Sequence, residues 1–90
     1  MRLVGINRLT EFLESNPDFG TTEALKAWVL ELKNGSWPDA TILGRQFQKV
    51  DASRNPTVVF HLVAVPIEIE TLIHFRSGVV LITDIHRFVN

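Results

Sequence analysis

The chain of 90 residues has no cysteine and no tyrosine. Without thiols it can form neither a disulfide nor a thiolate metal site, and it lacks a thiol nucleophile. Long apolar runs are also absent: charged residues interrupt every hydrophobic stretch well before the ~20 residues that a bilayer crossing needs. The opening MRLVGINRLTEF is too short in its apolar part, and too charged, to serve as a signal peptide. A cytoplasmic protein with no membrane contact is expected. Neither sign of charge dominates, since nine Lys and Arg face ten Asp and Glu. Binding to a nucleic-acid backbone normally draws on clustered cations, and the overall balance gives that no support. A glycine-rich phosphate loop, a nucleophile elbow and an HExxH pair are missing too, so the common small-molecule enzyme classes have no motif to stand on.

What is present suits a small folded unit. Apolar residues make up 46% of the sequence, which rules out a disordered tail, and the length allows one domain spanning 1–90. Residues 2–6 read as a short strand or lead-in. Asn7 is a candidate N-cap for a first helix carrying Leu9, Phe12 and Leu13, with Glu11 near its positive end. Asn16-Pro17-Asp18 should end that helix. Thr21 or Thr22 can cap a second helix, with Glu23 in its first turn. Its Leu25, Trp28, Val29 and Leu32 share one face, Lys33 lies in its last turn, and Asn34-Gly35 stops it. Trp28 on that stripe reads as a core anchor. Trp37-Pro38-Asp39 turns into a shorter helix over 39–48, built on Ile42, Leu43 and Phe47. Ser53-Arg54-Asn55-Pro56 reads as a loop.

From Thr57 the apolar period changes to two. TVVFHLVAV forms one strand and Pro66 breaks it. IEIETLIHF forms the next, with Ile67, Ile69, Thr71, Ile73 and Phe75 on one face and Glu68, Glu70, Leu72 and His74 on the other. Arg76-Ser77-Gly78 fits a three-residue hairpin loop with Gly78 at positive φ, and VVLITDI returns as the partner strand. HRFVN either extends that strand or leaves the sheet. The expected fold is α+β, with two to three N-terminal helices packed on one face of a C-terminal antiparallel sheet whose other face stays open.

The polar residues of this hairpin are the sharpest chemical feature. Pairing Phe75 with Val79 sets Glu68 opposite His86 and Glu70 opposite Asp84, with His74 on the same face. Such a group could perform acid–base work or ligate a metal through N and O donors; it could equally be the solvated side of a half-exposed sheet. Opposed carboxylates repel, so a cation or an altered register should relieve Glu70 and Asp84. His61, set among apolar residues, reads as a general base or as a hydrogen-bonded structural histidine. Arg45, Lys49 and Arg54, with Arg76 and Arg87, are the candidate phosphate contacts, and the spacing of Arg45 and Lys49 suits one helical face.

The order of landmarks resembles the HigB family of type II toxins, within the RelE-like ribonuclease superfamily. The resemblance is carried by Leu3-Val4 followed by Leu9, Phe12-Leu13 and Pro17-Asp18, by Leu25-Lys26-Ala27-Trp28, by Trp37, by Phe47 with Val50-Asp51-Ala52, and by Val58-Val59-Phe60-His61-Leu62, where the family has Val-Phe-Asn-Ile. It implies a RelE-like fold and an mRNA interferase, a metal-independent endoribonuclease acting at the ribosome without a cofactor. It also implies a cognate helix-turn-helix antitoxin as partner. The implied catalytic residues are His86, Arg87 and Arg76, with Arg45, Lys49, Arg54 and His61 on the RNA. Two family motifs are altered. The Gly-Asn-x-x-Arg segment corresponds to Ala64-Val65-Pro66-Ile67-Glu68, with a carboxylate at the arginine position; the Thr-His of the terminal Thr-His-x-Glu-Tyr matches Ile85-His86 if the hairpin is shortened by two residues, whereas without that gap its histidine falls on Phe88, and no tyrosine is present. The same resemblance therefore accommodates a catalytically degenerate member that works only through protein contacts.

Overall fold

The structure is a computed structural model, and it describes residues 1–16, 18–47, 49–62 and 65–88. In chain order the elements are β1 (Arg2–Val4), α1 (Ile6–Ser15), α2 (Phe19–Asn34), α3 (Ala40–Gln46), β2 (Val50–Arg54), β3 (Thr57–Leu62), β4 (Ile67–His74) and β5 (Val79–Arg87). The strands form one sheet in the order β1-β5-β4-β3-β2. The expected α+β class with N-terminal helices on a C-terminal sheet is what the molecule adopts. The sheet is mixed, not purely antiparallel, because β1 runs parallel to β5 at its edge.

The helix termini differ from the sequence expectation by a few residues each. Gly5, not Asn7, precedes α1, in a left-handed conformation with φ of 89°. A Cβ there would sit 2.8 Å from the Ile82 carbonyl oxygen, so the sharp passage from β1 into α1, close against β5, requires glycine. Glu11 consequently falls beyond the first turn of α1. Asp18, not Thr21 or Thr22, caps α2: its carboxylate accepts from the Thr21 N–H at 2.8 Å and the Thr21 hydroxyl at 2.6 Å. Glu23 lies past the first turn for the same reason, whereas Lys33 is in the last turn as expected. The proline at 17 and the last residue of the expected 39–48 helix lie outside the described residues. Asp39 caps the third helix by accepting from the Ile42 N–H at 2.9 Å.

The core lies between the helices and one sheet face. Leu25, Trp28 and Leu32 of α2, Leu43 of α3 and Trp37 meet Phe60, Ile67, Ile69, Ile73, Val80 and Ile82. Phe60 stands edge-to-face with both Trp28 (ring centroids 5.3 Å apart) and Phe47 (5.1 Å). The alternation of β4 holds as read: Ile67, Ile69, Thr71 and Ile73 are buried while Leu72 and His74 are exposed. Thr71 is accommodated in the core because its hydroxyl donates to the Val58 carbonyl at 2.7 Å.

Two sheet features correct the sequence expectation. Residues 50–54 form a strand, β2, with an irregularity between Asp51 and Arg54, so Ser53 and Arg54 belong to the sheet and not to a loop. Polar Asp51, Ser53 and Arg54 suit an edge strand but hide its period. The β4–β5 hairpin pairs His74 with Val79, leaving four residues in its loop, with Gly78 at φ 69°. Continued unchanged, that register would set Glu68 opposite Ile85 and turn His86 toward the helices. A bulge at Thr83 adds one residue to β5, and its hydroxyl donates to the Glu70 carbonyl at 3.1 Å. Beyond it Glu70 faces Asp84 and Glu68 faces His86. The expected strand over 57–65 is described only through Leu62 and again from Val65; of HRFVN, described through Phe88, His86 and Arg87 extend β5, which ends at Arg87.

Candidate functional site

The site follows from the pairing of three adjacent strands. His61 of β3 pairs with Glu68 of β4, which pairs with His86 of β5, all on the face that no helix covers. Side-chain contacts run the length of this row. Nδ1 of His61 lies 3.2 Å from Oε1 of Glu68, Nε2 of His86 lies 3.0 Å from Oε2, and Nδ1 of His86 lies 3.1 Å from Oδ2 of Asp84. The Glu68 side chain is 25% exposed and that of His86 is 43% exposed, so the row is open to solvent. Phe88 stands edge-on to the His61 ring, 5.8 Å between centroids.

Both Glu68 oxygens are engaged, one by each histidine. His86 has a carboxylate at each ring nitrogen. As an imidazolium it donates to both; as a neutral ring it can donate to only one, leaving a lone pair against an oxygen at the other. A metal would need donors converging on a shared point, whereas these nitrogens and oxygens face one another. Among the described residues no group of three or more His, Asp or Glu is placed to hold a metal ion.

The other candidates are dispersed. Arg87 is adjacent to His86 in sequence and therefore points to the opposite face. There its Nε donates to Asn16 Oδ1 at 3.0 Å, and one terminal N–H group donates to Asp18 and to the Thr21 hydroxyl at 2.9 and 3.0 Å. It ties the end of β5 to the α1–α2 junction. Thr21 above all, with help from Arg87, holds the Asp18 carboxyl below its ordinary pKa. Arg76 is in the hairpin loop, roughly 20 Å from His86 along β5. Arg54 lies at the Thr57 end of β3, roughly 13 Å from His61. Arg45 is exposed in the last turn of α3. Since α3 ends at Gln46, Lys49 does not share a helical face with it; the Lys49 carbonyl instead accepts from the His61 N–H at 2.9 Å. His74 does not join the row either, because it sits at the hairpin loop with Nδ1 2.6 Å from the Ser77 hydroxyl. Of the seven predicted site residues, only His61 and His86 therefore meet in the row, through Glu68, and Lys49 reaches it only through its backbone carbonyl.

Sequence reasoning missed Asp51. It lies on β2 beside the His61 row, and its carboxylate accepts from both the Ser53 N–H (2.9 Å) and hydroxyl (2.6 Å). Those bonds, with smaller help from Arg54 and His61, hold its pKa below the ordinary value. The period-two pattern of TVVFHL carried the placement of His61, but pairing it with Glu68 required the β3–β4 register, which no turn chemistry in the described sequence announces.

No family model matches this chain, and no curated protein matches it significantly. No helix among the described residues is long and apolar enough to cross a membrane.

Proposed function

We propose that this chain is a HigB-like protein of RelE type that acts by binding a protein partner, with phosphodiester cleavage no longer part of its work. The observation that carries this reading is the position of Glu68. It stands where the resemblance implies an arginine, and its carboxylate fills the space between two histidines that a phosphate would otherwise take. A phosphodiester about 4 Å from an ionised carboxylate meets repulsion on the order of 4 kcal/mol at an effective dielectric near 20. Asp84, Glu70 and Asp51 deepen that negative field, and Arg87 is committed to Asn16, Asp18 and Thr21. Stabilising the charge that develops on a phosphoryl group needs donors and cations aimed at it, and the row presents carboxylates. The partner that the resemblance implies is a small helix-turn-helix antitoxin encoded by a neighbouring reading frame.

One observation favours the endoribonuclease reading instead. His61 and His86 bracket a single anion position, which is the disposition that a general base and a general acid need on either side of a scissile phosphate. Induced expression with and without the neighbouring frame separates the two. The binding reading expects intact cellular mRNA and unarrested growth. Cleaved mRNA that becomes intact with His86→Ala would establish the nuclease instead.

A further inference from the structure

The uncovered sheet face carries a second pattern that neither the histidine row nor the resemblance uses. Two rows from the histidines toward the hairpin loop, Val4, Leu81 and Leu72 are register neighbours across β1, β5 and β4. They are 38%, 37% and 37% exposed, and they form an apolar line running across the strands. An open sheet face ordinarily presents polar residues to water. A contiguous apolar line rimmed by charge marks an interaction surface. The neighbouring line holds Asp84 opposite Glu70 on adjacent strands, then Val59 and Asp51. Asp84 opposite Glu70 is an unfavourable like-charge pair. Asp84 meets Nδ1 of His86 at 3.1 Å, and among the described residues no Lys or Arg lies within ion-pair distance of either carboxylate.

We infer that this face docks a cationic amphipathic helix supplied by a partner protein. Strands are spaced about 4.8 Å apart, and a helix advances about 5.4 Å per turn. A helix laid across the strands therefore sets one apolar residue per turn on β1, β5 and β4 in succession. The acidic line runs roughly 7 Å to one side, two residues along each strand, within reach of Lys or Arg on the flank of the same helix. The apolar line supplies affinity. The carboxylates take the cationic flank of the helix, and Arg2, in register with Val79 on the far side of the apolar line, repels a cation there, so the two flanks together fix its orientation. This inference rests on the binding reading above and names the chemistry of its partner.

The test uses the intact 90-residue chain and three synthetic peptides: a Leu/Lys amphipathic helix, the same helix with Glu for Lys, and a Leu/Lys peptide of equal composition with scrambled order. Binding is followed by fluorescence anisotropy and mapped by amide chemical shifts. The expected result is saturable binding of the first peptide, weakened by added salt and at least about tenfold tighter than that of either control. Shifts should centre on Val4, Leu72 and Leu81. A Leu72→Ser/Leu81→Ser variant should lose about tenfold in affinity while staying folded, with a cooperative melt at a lower temperature. Equal binding of the Lys and Glu peptides would overturn the proposal. So would shifts confined to the groove between α1 and α2 lined by Ile6, Leu13, Leu25 and Leu30, or self-association of the free protein through the Val4–Leu81–Leu72 line. Failure here leaves the reading of Glu68 standing, whereas mRNA cleavage by the induced protein would remove that reading without touching this surface.

Discussion

The two faces of the sheet are built from the same strands, residue by residue in alternation, yet they do opposite things. The face under the helices is closed by Phe60, Ile67, Ile69, Ile73, Val80 and Ile82 against α2 and α3. The other face is open and carries an apolar line, an acidic line and a histidine–glutamate row in succession. Burial explains the first face completely, because each of those side chains gains free energy by leaving water. It does not explain the second, where Leu72 and Leu81 keep more than a third of their surface in water and carboxylates oppose one another. The contrast places the packed core on one side of the sheet and the titratable side chains of the row on the other.

Inserting one more residue after Thr83 is the most severe way to break that division. With the bulge otherwise unchanged, the end of β5 moves by one residue, sending Asp84 and His86 toward the helices and Ile85 toward water. Burying such groups unpaired is expected to cost upward of about 4 kcal/mol, read as loss of the folded baseline in urea titration or detachment of residues 84–87 in hydrogen exchange. Phe60→Ala should cost about 3–5 kcal/mol, whereas Leu72→Ala, across the same pair of strands but on the open face, should cost under about 1 kcal/mol. Comparable urea midpoints for the two variants would dissolve the distinction. Gly5→Ala, at the passage from β1 to α1, should cost about 1–3 kcal/mol through its positive φ and its contact with the Ile82 carbonyl.

The smallest effect concerns acid. Asp18 has a folded pKa below its ordinary value, so its contribution to stability is present above the unfolded value of about 3.9 and is lost as pH falls toward the lower folded value. Asp18→Asn should therefore melt at a lower temperature than wild type at pH 7, with the gap closing below about pH 4. A gap that persists at the lowest pH would assign the loss to the cap itself and not to its charge.

Much of this architecture was legible in the sequence. The α2 stripe and the β4 alternation obey single periods, so Trp28, Leu32, Ile67 and Ile69 could be placed without coordinates. The pairing of Glu68 with His86 was reached through two deviations that cancel. A three-residue loop was expected where four residues turn, and the bulge at Thr83 restores the parity. A bulge leaves no mark in an apolar pattern when the extra residue is a half-buried threonine. β2 was invisible because its exposed edge selects for Asp, Ser and Arg instead of an alternating apolar run. His61 kept its place in the site, Arg87 left it because adjacent strand residues face opposite sides, and Arg76 and Arg54 left it because they stand at the other end of the strands.

The central claim is that Glu68 already occupies the anion position between His61 and His86. It is tested most directly by titrating the wild-type protein and its Glu68→Gln variant with a 2′-O-methyl oligoribonucleotide, which cannot be cut, while following the imidazole resonances of both histidines. The account expects no saturable change in wild type up to millimolar oligonucleotide. In the variant, from which the competing charge has gone, it expects shifts at both rings. Saturable shifts of His61 and His86 in the wild-type protein would contradict it.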